Sequence, residues 1–233
     1  MSKIGIIGAM ELEVEQLKAE MTVEAIRKKA GMEFYEGVLN KAHVVVVRSG
    51  VGKVNAALCT QILADSFAVT HIINTGVAGS LNASLDIGDI LISADALHHD
   101  VDAVIFGYRP GEVPQLGIRE FPADQALAQT AKDACEKVNP DIHAVLGRVV
   151  SGDQFISDKA VKERLIREFQ GDCTEMEGAS IAQGAYLNGI PFVIIRAISD
   201  KADDSAQIDY PIFEAAAAKH SAALVREMAG RLS

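Results

Sequence analysis

Residues Thr174 to Asp204 read TEMEGASIAQGAYLNGIPFVIIRAISDKADD. The stretch begins in a short strand, Cys173–Met176, turns into a helix over Glu177–Leu187, and returns as a long strand over Phe192–Ile198. Two carboxylates, Glu175 and Glu177, stand at the strand-to-helix junction, and the last apolar run ends in Arg196, Ser199 and Asp200. Charged groups rarely punctuate a core strand unless they are paired or take part in chemistry. The stretch therefore predicts alternating strands and helices, with an acid–base site at the strand ends.

The same alternation extends outward. Ile4–Ile7 reads as a buried strand closed by Gly8, and Glu11–Glu20 as a helix with a stripe of Leu12, Val14 and Leu17. Met32–Leu39 and Ala42–Arg48 form a hairpin around Asn40-Lys41. Gly52–Phe67 is a helix, and Thr70–Asn74 and Asp89–Ser93 are short strands. Asp124–Lys137, Lys159–Phe169 and the Ala-rich Ile212–Leu232 are helices, and Ala144–Val150 is a strand. Between Asp100 and Pro122 the pattern fails, and loops of this length usually serve function or cover a partner. The sum is an α/β three-layer sandwich with a mixed, largely parallel central sheet, read as a single domain over 1–233.

Composition narrows the classes. Of 233 residues, 49% are hydrophobic and 23% charged, enough for a substantial core and unlike a disordered chain. Net charge is −10, and no Lys/Arg cluster supplies the basic footprint of a nucleic-acid binder. Arg27-Lys28-Lys29 is read as a solvated surface turn. The three cysteines, Cys59, Cys135 and Cys173, have neither metal-ligand nor redox spacing and are read as reduced, mostly buried thiols. The first apolar run is too short for a signal sequence, and nothing reaches the roughly 18 apolar residues of a membrane span. A cytoplasmic protein with no membrane or nucleic-acid partner is expected.

Three glycine-rich segments follow predicted strands. Gly5-Ile-Ile-Gly8 lacks dinucleotide-fingerprint spacing. Ser49-Gly-Val-Gly-Lys53 resembles the tail of a P-loop, but Val54 stands where Ser or Thr is required. Thr75-Gly-Val-Ala-Gly79 is read as a third turn. Together they either gather backbone amides at a ligand site or are ordinary tight turns, and spacing alone leaves the two level. His98-His99-Asp100 offers metal-ligand types, but adjacent residues on an extended segment face opposite ways, so a structural or substrate-contacting histidine is the better reading.

The acids carry the chemistry. Strand alternation places Ile194, Arg196, Ile198 and Asp200 on one face. A buried Arg196 demands a carboxylate, with Glu177 the natural candidate. Partial burial of Asp200 would favour its neutral form and make it a proton donor. Glu177 and Glu13, at helix starts, are expected to be ionised. Glu11, Glu13 and Glu15 cannot share one helix face, and composition does not choose among them.

Seven ordered landmarks span almost the whole chain: IGIIGAMELEVEQL (4–17), SGVGKVNAA (49–57), INTGVAGSL (73–81), HDVDAVIFGY (99–108), SGDQFI (151–156), EMEGASIA (175–182) and VIIRAISDKAD (193–203). In these the chain resembles the 5′-methylthioadenosine/S-adenosylhomocysteine nucleosidases of the purine nucleoside phosphorylase superfamily. The resemblance implies hydrolysis of an N-glycosidic bond through an oxocarbenium-like transition state. By motif match, Asp200 protonates purine N7 with Ser199 beside it. Glu13 of the GAMxxE motif activates water, and Glu177, positioned by Arg196, holds the ribose hydroxyls while Met176 packs on the sugar. Phe155 stacks on adenine and the Ile156 backbone reads its edge. Ala78 and Gly79 offer backbone amides, and Met10, Val51 and Tyr210 surround the sugar and 5′-thio group. Segment 100–122 reaches a neighbouring subunit, where Phe106 and Pro114 close its pocket, so a homodimer is implied.

No metal or cofactor is implied. Val77 stands where many relatives carry serine, so a hydroxyl near the ribose or water is missing. The phosphate-binding arginines of the phosphorylases are also absent: the first turn reads Gly8-Ala-Met-Glu, and Asn74 precedes Thr75-Gly76. Water is therefore the implied nucleophile. A nucleosidase for another modified purine nucleoside, and a non-catalytic nucleoside-binding protein, are the alternatives.

Overall fold

The computed structural model describes residues 2–203 and 205–233. In chain order the elements are β1 (Lys3–Gly8), α1 (Glu11–Glu20), β2 (Thr22–Lys29), β3 (Met32–Leu39), β4 (Ala42–Arg48), α2 (Lys53–Phe67), β5 (His71–Ser80) and β6 (Ile90–His98). There follow a 3₁₀ turn (Val104–Phe106), β7 (Phe121–Pro122), α3 (Gln125–Val138), β8 (Ala144–Ser151), α4 (Lys159–Phe169), β9 (Cys173–Glu175), α5 (Gly178–Leu187), β10 (Phe192–Asp200) and α6 (Ala206–Arg231).

The strands form one mixed sheet in the order β10-β6-β8-β9-β5-β1-β4-β3-β2, with β7 on the side of β6. β10 also pairs with β5, so β5, β9, β8, β6 and β10 close a ring from which β1, β4, β3 and β2 extend. Both faces of the central strands are buried. In β4, Val44 and Val46 join one apolar cluster with Leu17, Leu224 and Val225, while Val45 and Val47 join the opposite cluster with Leu63 and Ile181. Helices α1, α3 and α6 therefore cover one face, and α2 and α5 the other. This explains why these strands read as continuous Val/Ile runs. The expected α/β layering with a mixed sheet is borne out.

Several local expectations are corrected. Arg27, Lys28 and Lys29 lie in edge strand β2, where Arg27 and Lys28 pair with Glu36 and Glu33 across the hairpin at 2.8 and 2.7 Å. Nearly every residue of β2 is exposed on both faces, so no alternation marks it, and its charges guard a sheet edge. Thr75-Gly-Val-Ala-Gly79 is not a turn. β5 runs through it because β10 pairs alongside, Arg196 opposite Gly76 and Ala197 opposite Val77. Helix α6 begins at Ala206 and carries Pro211 inside it, where proline both forgoes one hydrogen bond and crowds the preceding turn. The segment 100–122 is irregular, as expected, apart from the 3₁₀ turn and β7.

The parallel strands β1 and β4 end level with each other at Gly8 and Arg48, while β5 and β10 run on past them to Ser80 and Asp200. β8 and β9 bring Ser151 and Glu175 to the same place, because β9 meets the end of β5 in antiparallel fashion. Ligand sites in open α/β sheets lie outside such carboxyl ends.

Candidate active site

Glu13 is the third residue of α1 and is only 2% exposed. Its Oε2 accepts the N–H groups of Ala9 and Met10 at 2.6 and 2.9 Å, and its Oε1 accepts that of Val77 at 3.1 Å. The carboxylate thus caps its own helix and reaches across to β5. Glu11 and Glu15 are exposed, and Glu11 pairs with Lys18 at 2.8 Å and Arg48 at 3.8 Å. Tertiary contact with β5 separates the three glutamates where helical spacing could not. Burial pushes the Glu13 pKa upward, opposed by the Arg196 charge and the three amides.

Arg196, wholly buried in β10, has a closer carboxylate partner than the expected Glu177. Its Nη2 pairs closely with Glu175 Oε2 and with Asn74 Oδ1 at 2.6 Å, while Glu177 Oε2 lies 3.7 Å away. Glu175 is a hub. It also accepts the Ser151 hydroxyl and the N–H groups of Glu177 and Gly178, the latter at 2.8 Å. Ser151 Oγ accepts the Ala179 N–H at 2.7 Å. The orphan N–H groups that open α5 are therefore satisfied by Glu175 and Ser151. This leaves Glu177, the N-cap residue by position, with no capping bond of its own.

Glu177 instead turns toward the end of β4, where its Oε1 accepts the Gly52 N–H at 2.8 Å. Burial, and next the charge of Glu175, raise its pKa to about 8 against the pull of Arg196. This runs against the expectation of a simply ionised Glu177, because burial and the neighbouring Glu175 charge outweigh the pull of Arg196. Asp200 follows a bulge: Ile198 pairs with Ala78 and Asp200 with Gly79, leaving Ser199 as the extra residue. A bulge re-aims the side chains beyond it. Asp200 Oδ1 accepts the Ala202 N–H at 2.8 Å, and Oδ2 accepts the Ser199 hydroxyl at 2.9 Å. Burial raises the Asp200 pKa, the direction expected of a proton donor.

These acids share one cleft. Its walls include Met10, Glu13, Val51, Val77, Ala78, Gly79, Phe155, Met176, Glu177, Ser199, Asp200 and Tyr210. A recess beside Phe155, Met176 and Asp200 adds Ile156. The Phe155 and Tyr210 rings meet edge-on with centroids 5.6 Å apart, and Tyr210 Oη lies 3.3 Å from Met10 Sδ. Arg196 sits behind Glu175 and is not a wall. Phe106 and Pro114 are exposed and do not line this cleft.

Sequence reasoning gave no role to Glu175, Ser151 or Asn74, nor to Thr174, which also lines the cleft. The signal for Glu175 was its place beside Glu177 in the EME landmark, and that for Ser151 its place at the head of SGDQFI. His98 and His99 are buried away from the cleft, His98 Nε2 lying 2.9 Å from Gln183 Oε1. Among the described residues no group of three His, Cys, Asp or Glu is placed to hold a metal ion. The three cysteines are buried and unpaired.

The family model of the phosphorylase superfamily matches residues 3–229. A 5′-methylthioadenosine/S-adenosylhomocysteine nucleosidase of Halalkalibacterium halodurans is 45% identical over 233 residues, covering 100% of both chains. The crystal structure of the nucleosidase of that name from Colwellia psychrerythraea, in complex with adenine, is 40% identical and superposes with a TM-score of 0.95 over 99% of this chain and 96% of its own. That from Neisseria meningitidis, in complex with methylthio-immucillin-A, is 38% identical with a TM-score of 0.95 over 99% and 100%. With its glutamates and Asp200 gathered at the strand ends of this sheet, the chain belongs to the phosphorylase superfamily and, within it, to the 5′-methylthioadenosine/S-adenosylhomocysteine nucleosidases.

Proposed function

We propose that this protein hydrolyses the N-glycosidic bond of 5′-methylthioadenosine and S-adenosylhomocysteine, releasing adenine and the 5′-thioribose product. The observation that carries the reading is the convergence of Glu13, from one end of the chain, with Glu177 and Asp200, from the other, on one cleft. As the bond between C1′ and N9 breaks, its electron pair passes to the purine, and Asp200 gives its proton to N7. Water adds its oxygen to C1′ and its proton to Glu13. Solvent exchange then returns the proton from Glu13 to Asp200, so the enzyme is restored.

Each group suits its part. Burial raises the pKa of Asp200, which favours its protonated form, and raises that of Glu13, which strengthens it as a base. Three amides hold Glu13 in one orientation. Glu177 accepts from the ribose hydroxyls, with Met176 packed on the sugar. Phe155 stacks on the purine, and the Ile156 backbone reads its edge. Ala78 and Gly79 present backbone groups, while Met10, Val51 and Tyr210 enclose the sugar and thio arm. Water is favoured over phosphate because no lysine or arginine among the described residues lines the cleft to hold a dianion. Arg48 is exposed near Glu11, and the Asn74 amide is occupied by Ile7 and Arg196.

Phe106 and Ile105 are 81% and 89% exposed. This supports a homodimer in which segment 100–122, with Phe106 and Pro114, closes the neighbouring pocket. The reading places the enzyme in the cytoplasm, in methionine salvage, as a single-domain protein. No helix among the described residues is long and apolar enough to cross a membrane. The test is adenine release from each nucleoside with and without phosphate. Phosphate-independent release is expected, and a sugar 1-phosphate product would overturn the hydrolase reading. Futalosine belongs in the same assay, since a Helicobacter pylori futalosine hydrolase is 33% identical over 97% of this chain.

A further inference from the structure

Lys53, which ends the Ser49-Gly-Val-Gly-Lys53 motif, and the His98-His99-Asp100 motif stand outside that reaction scheme. The fold brings them together. Lys53 Nζ lies 2.5 Å from Asp100 Oδ1. Asp100 Oδ2 accepts the Asp153 N–H at 3.0 Å, and Asp153 Oδ1 accepts the Lys53 N–H at 2.8 Å. Three residues thus close a ring of hydrogen bonds between the start of α2, the chain leaving β6 and the chain leaving β8. The side chains of Lys53 and Asp100 are 21% and 18% exposed, and neither residue is a wall of the cleft.

Each end of the ring is attached to a wall. Gly52, beside Lys53, donates its N–H to Glu177. Asp153 is followed two residues later by Phe155, and the Gln154 N–H bonds to the Gly152 carbonyl at 2.8 Å, so the intervening chain is tightly turned. Gly52 has φ +98°, and a Cβ there would meet Asp153 Oδ1 at 3.1 Å. The two loops therefore touch at the point where the ring ties them. The Lys53 N–H, an orphan donor at the start of α2, is satisfied by a carboxylate that the helix dipole also favours.

We propose that Lys53 and Asp100 are positioning residues, their ion pair setting the separation between the Gly52 anchor of Glu177 and the Phe155 wall. The tie holds the ribose and purine ends of one substrate in register. It rests on the reading that Glu177 holds ribose and Phe155 covers purine. A charge-assisted pair suits a place where two glycine-containing loops meet at the rim with little apolar surface to pack. Both groups act on binding before chemistry, so loss of the tie raises KM more than it lowers kcat.

The test uses the full chain carrying Lys53→Met, Asp100→Asn or Lys53→Arg. Three measurements are made: hydrogen exchange of segments 50–55 and 152–157 without ligand, steady-state kinetics with methylthioadenosine, and thermal unfolding. Lys53→Met is expected to speed exchange in both segments. It should also raise KM about tenfold, short of the roughly hundredfold that an ångström-scale misplacement can cost. kcat should stay within about threefold. Asp100→Asn, which keeps an acceptor for the Asp153 N–H, should shift the same quantities less and remain folded. Lys53→Arg should restore them. Unchanged KM, faster exchange in one segment alone, or no rescue by arginine would each overturn the tie. A wild-type protein that leaves methylthioadenosine intact would overturn the hydrolase reading instead, and exchange on the unliganded protein would still judge the tie.

Discussion

Asp200 and Glu177 are both buried carboxyls, yet their surroundings suit them to different work. Asp200 is held by one hydroxyl and one amide and leans toward its neutral form, ready to give a proton. Asp200→Asn, which has no acidic proton, should lower kcat about 10²- to 10⁴-fold while leaving adenine binding measurable by calorimetry. Glu177 has a folded pKa of about 8 against an ordinary value of 4.5. The folded state therefore holds a proton that the unfolded chain has released. Its contribution to stability is complete below the unfolded value and is lost as pH rises through the folded one. Thermal unfolding of the unliganded protein should occur at lower temperature near the alkaline end of that window than near its acid end. Glu13 and Asp200 shift in the same direction, so Glu177→Gln should flatten this slope without removing it. At this scale the sequence singled out Glu177, Arg196 and Asp200 as residues but not all their partners. Arg196 belongs to Glu175 because β9 and α5 place Glu175 beneath it, a pairing that one strand's alternation cannot reveal.

β5 shows what an element adds. Its Gly76 looks like a turn residue in sequence, but it lies in a paired strand where two charged side chains cross the backbone. A Cβ at Gly76 would stand 2.1 Å from Arg196 Nη1 and 2.4 Å from Glu13 Oε1. Gly76→Ala should therefore cost about 1–3 kcal/mol by overpacking and displace Glu13, which denaturant unfolding and adenine release together would read. Strand and helix existence was mostly legible where periodicity or apolar runs were strong, as in β1, β4, β8, α4 and β10. β2 was missed because both its faces meet solvent and it carries no pattern. On sequence α6 reads from Ile212, short of its start at Ala206. β5 was cut short because glycine in a strand looks like a turn until its neighbours are known.

The whole molecule is a sheet that closes on itself through the β5–β10 pairing, and that closure brings residue 13 to residues 177 and 200. In the proposed homodimer the exposed apolar residues of segment 100–122 meet a second copy of the chain. Phe106→Ser should raise KM for methylthioadenosine about 10-fold, the loss expected for a truncated aromatic at an interface hot spot of about 1–2 kcal/mol, with activity falling on dilution. Sedimentation of the wild type should show a dimer, and a monomer with full activity would overturn that arrangement. By itself the sequence determined the layered α/β class, the acids at the strand ends and, through seven ordered landmarks, the family, because these rest on local periodicity and on residue order. Only the tertiary structure decided which glutamate of α1 is buried, that Arg196 serves Glu175, that Glu177 is left free by Glu175's capping of α5, and that Lys53 meets Asp100. Each of these depends on contacts between segments far apart in the chain, whose geometry exists only when the sheet has closed.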